Sequence, residues 1–342
     1  LEVSDSFGST TGASSNVKQL IDNLPSNSPY KIQAQPMSKT LSVITQEHIL
    51  DLPIFKLLTS AEQTKKLTLL TNRKVIRLGV CSTSNKVEVL HVVNTLNGVS
   101  EKYNAKKIIL CASTIATTAI LLKSIHKTFP TGLGNHSNLL GKYLAEHTPE
   151  VKISGKRKLP KNIKYNGLGF FYIPTYYKPD KNIQSFWWQG ETYCSELDGE
   201  FFEYVTLYGF GELKSEEFNM IKINNQSHQN TTGISIKYSS MNRDAIQQKQ
   251  IDSGSSILKE IGFTYIDTYF EKRSGLSVHE VGTARMGTTQ GNSVLNTNNQ
   301  VWGNNNIFVT DGSCFVSAGS ANPTLTMLAI TARACDTICR EG

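Results

Sequence analysis

The end of the chain reads HEVGTARMG over 279–287, NSVLNTNNQVWGNNNIFVTDGSCF over 292–315 and SAGSANPTLTMLAITARACDTI over 317–338, and these letters decide the fold. Ile307, Phe308 and Val309 form a short apolar run that stops at Asp311-Gly312, as a buried strand ending in a turn does. Asn322 is a good N-cap, and Pro323 suits a first helical position because its missing N–H would be unpaired there anyway. The spacing predicts a helix from about Pro323 to Ile338, with Leu325, Leu328, Ala332, Cys335 and Ile338 on one apolar face. Its first N–H groups, on Thr324, Leu325 and Thr326, lack partners inside the helix and suit an anion or a developing negative charge.

The order and spacing of these pieces are more specific than any one of them. The block resembles the C-terminal signature of the glucose-methanol-choline (GMC) family of FAD-dependent oxidoreductases. That family has a histidine in an H-x-x-G-T-x-R-M-G run and a second His or an Asn about forty residues later. NIFVTDGSCF and ITARAC are most similar to the branch containing gluconate and related sugar-acid or polyol dehydrogenases.

By position, the resemblance implies that His279 is the base that takes a hydroxyl proton while hydride leaves the same carbon for flavin N5. Asn322 is the partner that donates from its amide to the substrate oxygen. An unperturbed histidine titrates near ~6.5, so at neutral pH it can accept that proton. Asp311 and Gly312 are expected against the ribityl-phosphate region of FAD, and the backbone of Asn322, Pro323 and Thr324 against the flavin ring. His-Glu also opens the zinc motif H-E-x-x-H, but HEVGT lacks the second histidine, so no metal site is assigned.

The same resemblance implies a fold of the α/β (α+β) class. It combines a GMC-type FAD-binding domain, incomplete at its N-terminal end, with an antiparallel-sheet substrate domain. The expected organisation is a poorly defined segment over 1–65, a first FAD-binding segment over 66–149, a substrate-binding domain over 150–275 and a C-terminal FAD-binding segment over 276–342.

Upstream, LTLLTNRKVIRLGVCS and NKVEVLHVVNTL read as an antiparallel meander turning at 82–86. In the family a valine of such a meander meets the adenine through its backbone, and Val75 stands at that place. AKKIILCAS fits a buried strand, and TIATTAILLKS a helix with Ile115, Ala119 and Leu122 on one face. Ser113 between them replaces the glycine of many family members, and its side chain would crowd a nearby phosphate. GLGNHSNLLGKYLAEH, over 132–147, matches the family's link into the substrate domain; His136 and His147 in it read as structural.

Between 150 and 276 aromatic runs (GFFYIPTYY, SFWWQG, FFEYVTLYGFGE) suggest a sheet, with Trp187 and Trp188 either lining the substrate pocket or packing its core. RDAIQQKQIDSGSSILKEIGF reads as helical and broken near Gly254.

The family's G-x-G-x-x-G phosphate fingerprint is not found; the nearest clusters, Gly132-Leu-Gly134 and Gly209-Phe-Gly211, have the wrong spacing. A nicotinamide enzyme lacks support for the same reason, and no G-x-S-x-G elbow suggests a hydrolase. The reading is therefore an enzyme that oxidises a CH–OH group of an alcohol, sugar or polyol with FAD and an unknown electron acceptor. The alternative is a truncated or degenerate relative without catalysis that acts as a binding or interaction protein, an idea that a chain beginning with Leu permits.

The 342 residues can bury about three quarters of their unfolded surface. The net charge of +7 is spread out, apart from GKRKLPKNIK around Lys156 to Lys164. That cluster reads as a solvated loop, and no nucleic-acid partner is assigned. Cys81, Cys111, Cys194, Cys314, Cys335 and Cys339 show neither metal spacing nor a disulfide framework. No run approaches the roughly 18 apolar residues of a membrane span, and no signal peptide is read, which favours a cytoplasmic location for the chain as given. Asn135-His-Ser, Asn225-Gln-Ser and Asn230-Thr-Thr match the glycosylation pattern, which an Asn-rich chain meets by chance.

Overall fold

The computed structural model describes residues 15–28, 32–34, 53–81, 83–84, 86–148, 150–160, 169–174, 185–224, 233–273, 275 and 278–341. The triplets at Asn225 and Asn230 lie outside them. Five helices are described: α1 (Ser15–Asn23), α2 (Pro53–Gln63), α3 (Thr114–Lys123), α4 (Arg243–Glu260) and α5 (Thr324–Arg340).

The strands fall into four sheets. Strands β2 (Arg73–Val80), β3 (Val87–Asn94) and β4 (Ser100–Asn104) make the expected antiparallel meander. The pair β5 (Ile108–Leu110) and β13 (Ile307–Val309) is parallel, Ile108 facing Ile307 and Leu110 facing Val309. All three residues of β13 are fully buried, the condition under which a short unbroken apolar run serves as a strand.

The large sheet has the order β1 (Gln33–Ala34), β7 (Gly169–Pro174), β8 (Phe186–Leu197), β9 (Glu200–Gly211), β6 (Val151–Leu159) and β12 (Tyr265–Phe270), with every pairing antiparallel. A hairpin of β10 (Met220–Ile223) and β11 (Ile234–Lys237) completes the set. Burial alternates along β6 and β8, so one face is apolar and packs against α1 and α4. The opening stretch, weakly informative as sequence, thus supplies Leu20 and Ile32 to the core beneath this sheet. A second core joins the meander, the parallel pair, α3 and the 279–315 region through Leu78, Leu121, Val281, Val309 and Cys314.

Three expectations need correction. Helix α4 runs unbroken through Gly254, because glycine there lets the helix approach the sheet: a Cβ would lie 2.4 Å from Ile153 Cδ1 and 2.9 Å from Trp188 Cζ2. The basic cluster is not a loop in its described part; Lys156, Arg157 and Lys158 belong to β6, and 161–164 lie outside the described residues. Arg157 points inward, its Nε and Nη2 lying 2.7 and 2.6 Å from Glu203 Oε2, with Glu203 fully buried. Lastly, α5 turns Met327, Ile330 and Ala334 to the core, and leaves Leu325 and Leu328 at 78% and 59% exposure. The helix has two apolar stripes, and the less obvious one is packed.

Candidate active site

The HEVGTARMG run is fastened on both sides by backbone hydrogen bonds. On one side the N–H groups of Gly282, Ala284 and Met286 donate to Gly312, Ser313 and Cys314, each at 2.9 Å. On the other, Val281 exchanges bonds of 2.8 and 3.0 Å with Ala145, and the Thr283 carbonyl accepts from Gly141 at 2.7 Å. This segment therefore ties the loop after β13 to the 132–147 link. Close approach requires glycine twice: a Cβ on Gly282, at φ 86°, would meet the Tyr143 carbonyl oxygen at 2.2 Å, and one on Gly312 would meet Thr114 Oγ1 at 2.7 Å.

His279 begins the run, half-buried, after Val278 at φ 56°. Its Nδ1 is buried without a hydrogen-bond partner among the described residues. Burial holds its pKa below the ordinary histidine value, against a pull upward from Glu280. Its ring centroid lies 5.0 Å from that of His147, the planes at 90°. His147 has no exposed surface, and burial followed by the neighbouring His279 pushes its pKa down to about 4. The ring row continues through Phe210, 6.2 Å from His147, to Trp187, stacked on Phe210 at 5.2 Å, and to Tyr172, 5.1 Å from Trp187.

Trp187 donates its Nε1–H to the Ser320 carbonyl, and Ser185 Oγ lies 3.1 Å from Ser320 Oγ. The loop leading into α5 is thereby pinned to the same aromatic wall, two residues before Asn322. Asn322 and Thr324 are exposed at the mouth of the helix, while Pro323 is buried. Pro323, not Asn322, occupies the N-cap; its carbonyl accepts the first helical bond from Met327 at 2.9 Å, and the Asn322 side chain does not cap. The helical φ of Pro323, −81°, moves the start by one residue and leaves the Asn322 amide free of helix duty. Of the two tryptophans Trp188 is fully buried and belongs to the core.

Asp311 and Gly312 lie at the other side of this segment. The Asp311 carboxylate accepts from Ser313 N at 3.0 Å, Ser313 Oγ at 2.5 Å and Thr117 Oγ1 at 2.5 Å. Its side chain is thus committed to the short 3₁₀ turn Gly312–Cys314 and to α3, and its carbonyl accepts from Cys314 N at 3.2 Å. Val75 lines a cavity of about 690 Å³ with Leu110, Cys111, Ala112, Ala116 and Ala119, a size within the roughly 300–1,000 Å³ of ligand pockets. Ser113 at the head of α3 takes φ 72°, ψ 157°, a conformation natural to the glycine it replaces.

Sequence reasoning read His147 as structural; the ring contacts it makes with His279 and Phe210 join segments distant in the chain. The available signal was a histidine two residues beyond an alanine that pairs with the HEVGT run, which only the fold reveals.

Residues 219–331 match the family model described as GMC oxidoreductase. Over that third of the chain the sequence is similar to the GMC oxidoreductases. It is 26% identical over 279 residues to 2-methyl-1,2-propanediol dehydrogenase of Mycolicibacterium austroafricanum, across 73% of this chain and 50% of that protein. It is 36% identical over 84 residues to C-glycoside 3-oxidase of Arthrobacter globiformis, across 24% of this chain and 16% of that one. Among solved structures it resembles pyridoxine 4-oxidase from Mesorbium loti, with a TM-score of 0.60 at 16% identity, covering 96% of this chain and 70% of that one. The chain spans about half the length of the propanediol dehydrogenase. The mixed α/β fold with antiparallel sheets is structurally similar to that of a GMC oxidoreductase, and no helix among the described residues is long and apolar enough to cross a membrane.

Proposed function

We propose that the protein containing this chain oxidises a CH–OH group of a small alcohol, sugar or polyol, with His279 as the base and FAD as the cofactor. The observation that carries this reading is the position of His279. A half-buried imidazole, kept neutral by its surroundings, ends a doubly fastened segment beside an aromatic wall to which the Ser320–Asn322 loop is tied.

Residues 66–149 and 276–342 would hold FAD and 150–275 the substrate. The Val75 cavity, with the small side chains Ala112 and Ala116, fits an adenine-sized group. The backbone of Asp311 and Gly312 and the exposed start of α5 at Asn322, Pro323 and Thr324 fit the ribityl chain and the ring. When bound, FAD supplies the acceptor for the hydride that leaves the carbinol carbon. The chain's own residues do the rest. His279 takes the hydroxyl proton at Nε2, the nitrogen opposite its buried Nδ1. The Asn322 amide donates to the substrate oxygen, and the free N–H groups of the first turn of α5 offset negative charge at that end. The face of Trp187, stacked on Phe210, offers an apolar floor for the C–H side of a polyol.

A scaffold without turnover remains the second reading, favoured by one fact: these 342 residues hold no glycine-rich phosphate loop. The purified protein is to be examined for flavin absorbance and for turnover of vicinal diols and sugars. His279→Ala is expected to lower kcat by about 10²–10⁴-fold with flavin retained. Undiminished turnover in that variant removes the assigned base, and absence of bound flavin supports the scaffold.

A further inference from the structure

Two imidazoles touch in this site, and three of their four nitrogens are buried without a hydrogen-bond partner among the described residues: Nδ1 and Nε2 of His147, and Nδ1 of His279. The backbones of Gly319 and Gly211 come near His147 without making a hydrogen bond of normal geometry. For a residue that only fills space this is a poor choice. Buried polar groups without partners oppose folding, and a phenylalanine or leucine would fill the same volume without that cost.

The backbone gives His147 little freedom to escape. Ala145 pairs with Val281, His147 bridges to Glu212, and Thr148 donates to the Gly211 carbonyl at 2.7 Å. The ring is held between the HEVGT segment and the end of β9, with Phe210 edge-on against it.

The orphaned nitrogens complement one another. A neutral histidine carries one proton, and if that of His279 sits on Nδ1 it needs an acceptor inside the protein. The ring in contact with it, when neutral, offers one nitrogen lone pair. A centroid separation of 5.0 Å is close to two ring radii plus one hydrogen-bond length, a spacing that a nitrogen-to-nitrogen hydrogen bond between the rings would have.

We propose that His147 is a positioning residue for His279: it accepts the Nδ1–H of His279 and so fixes the tautomer that leaves Nε2 bare to take the substrate proton. The inference rests on His279 being the base. During the reaction the substrate O–H bond breaks and its proton forms a bond to Nε2. Nδ1 keeps its own proton, and the positive charge is shared with His147 through that hydrogen bond. His147 does not compete for the proton, since its burial and the adjacent imidazole keep it neutral. The carboxylates around the pair come from Glu280, next to His279, from Glu146, which accepts from Gly275 N at 2.9 Å, and from Glu212 across the bridge.

The test compares the purified wild-type protein with His147→Leu, which removes the acceptor, and His147→Gln, which restores one through its carbonyl. Imidazole ¹⁵N NMR reads the tautomer of His279 directly, and steady-state kinetics with a diol substrate reads its consequence. Wild type is expected in the Nδ1–H form. His147→Leu is expected to mix tautomers and lower kcat by about 10–100-fold with KM changed less than about threefold, while His147→Gln recovers the tautomer and most of the rate. Wild-type His279 in the Nε2–H form overturns the proposal even if His147→Leu does not fold. So does a His147→Leu variant with unchanged tautomer and kcat. Full turnover in His279→Ala overturns the base reading itself; loss of turnover there with a normal His147→Leu sinks only the positioning role.

Discussion

Gly254→Ala in the middle of α4 has an outcome whose sign separates local propensity from packing. Alanine is favoured over glycine in a helix interior by about 1 kcal/mol, so at an exposed site the change would stabilise. Here the added methyl would stand 2.4 Å from Ile153 Cδ1, 2.9 Å from Trp188 Cζ2 and 3.0 Å from Trp188 Cη2. Both neighbours are fully buried in the core of the large sheet, so neither can swing into solvent. Overpacking of this kind costs roughly 1–3 kcal/mol, and overlap with two such side chains puts it near the top of the range. The net expectation is a loss of about 2 kcal/mol, read as a lower midpoint in urea with an unchanged slope. Ile153→Val removes the nearest offending atom. Alone it should cost about 0.5–1.5 kcal/mol, and combined with Gly254→Ala it should cost clearly less than the sum. A Gly254→Ala protein as stable as wild type or more so, or strictly additive behaviour of the pair, would refute the packing account.

Other expectations follow from the same contacts. Ser113→Gly should stabilise the fold by about 1 kcal/mol or more, seen as a raised midpoint, because glycine adopts φ 72°, ψ 157° without the strain that serine bears there. Arg157→Met should cost about 3–5 kcal/mol by leaving Glu203 buried without its cation. Burial already lifts the Glu203 pKa above the usual carboxylate range, and loss of Arg157 lifts it further. A raised carboxyl destabilises as pH climbs through its folded value, so the deficit should be smaller at pH 4 than at pH 8. The acid limb of kcat/KM should have its midpoint below the ordinary ~6.5 of histidine, since burial lowers the His279 pKa and only its neutral form accepts a proton. A midpoint above that value would count against His279 as the group being titrated.

Much of this architecture was readable from residue order. The meander followed from β-branched alternation, and the strand at 307–309 from a short apolar run closed by Asp-Gly. What failed was anything decided by a distant partner. Helix α5 offers two apolar stripes, and nothing in the letters says that Met327, Ile330 and Ala334 rather than Leu325 and Leu328 meet the core. Gly254 looked like a breaker because sequence shows its helix penalty and hides Ile153 and Trp188. The contacts of His147 with Phe210 and His279 are made only through the fold. The run at 279–287 was legible because it is contiguous, whereas the Asp311 carboxylate proved to be spent on Thr117 and Ser313.

The parallel pair β5–β13 sets when the active site can exist during folding. Cys111 and Thr310, which meet just beyond it, are 199 residues apart in the chain. The hairpins of the large sheet close over short loops, whereas this pairing must bridge a long one and is correspondingly slow. On a ribosome the strand at 307–309 emerges after the strands of the large sheet, and until it docks, Gly312, Ser313 and Cys314 cannot anchor the segment that carries His279. Assembly of the corner around His279 therefore follows that of the large sheet, and a chain cut short before 312 would keep its large sheet and His279 while losing the backbone anchors of the 282–286 segment.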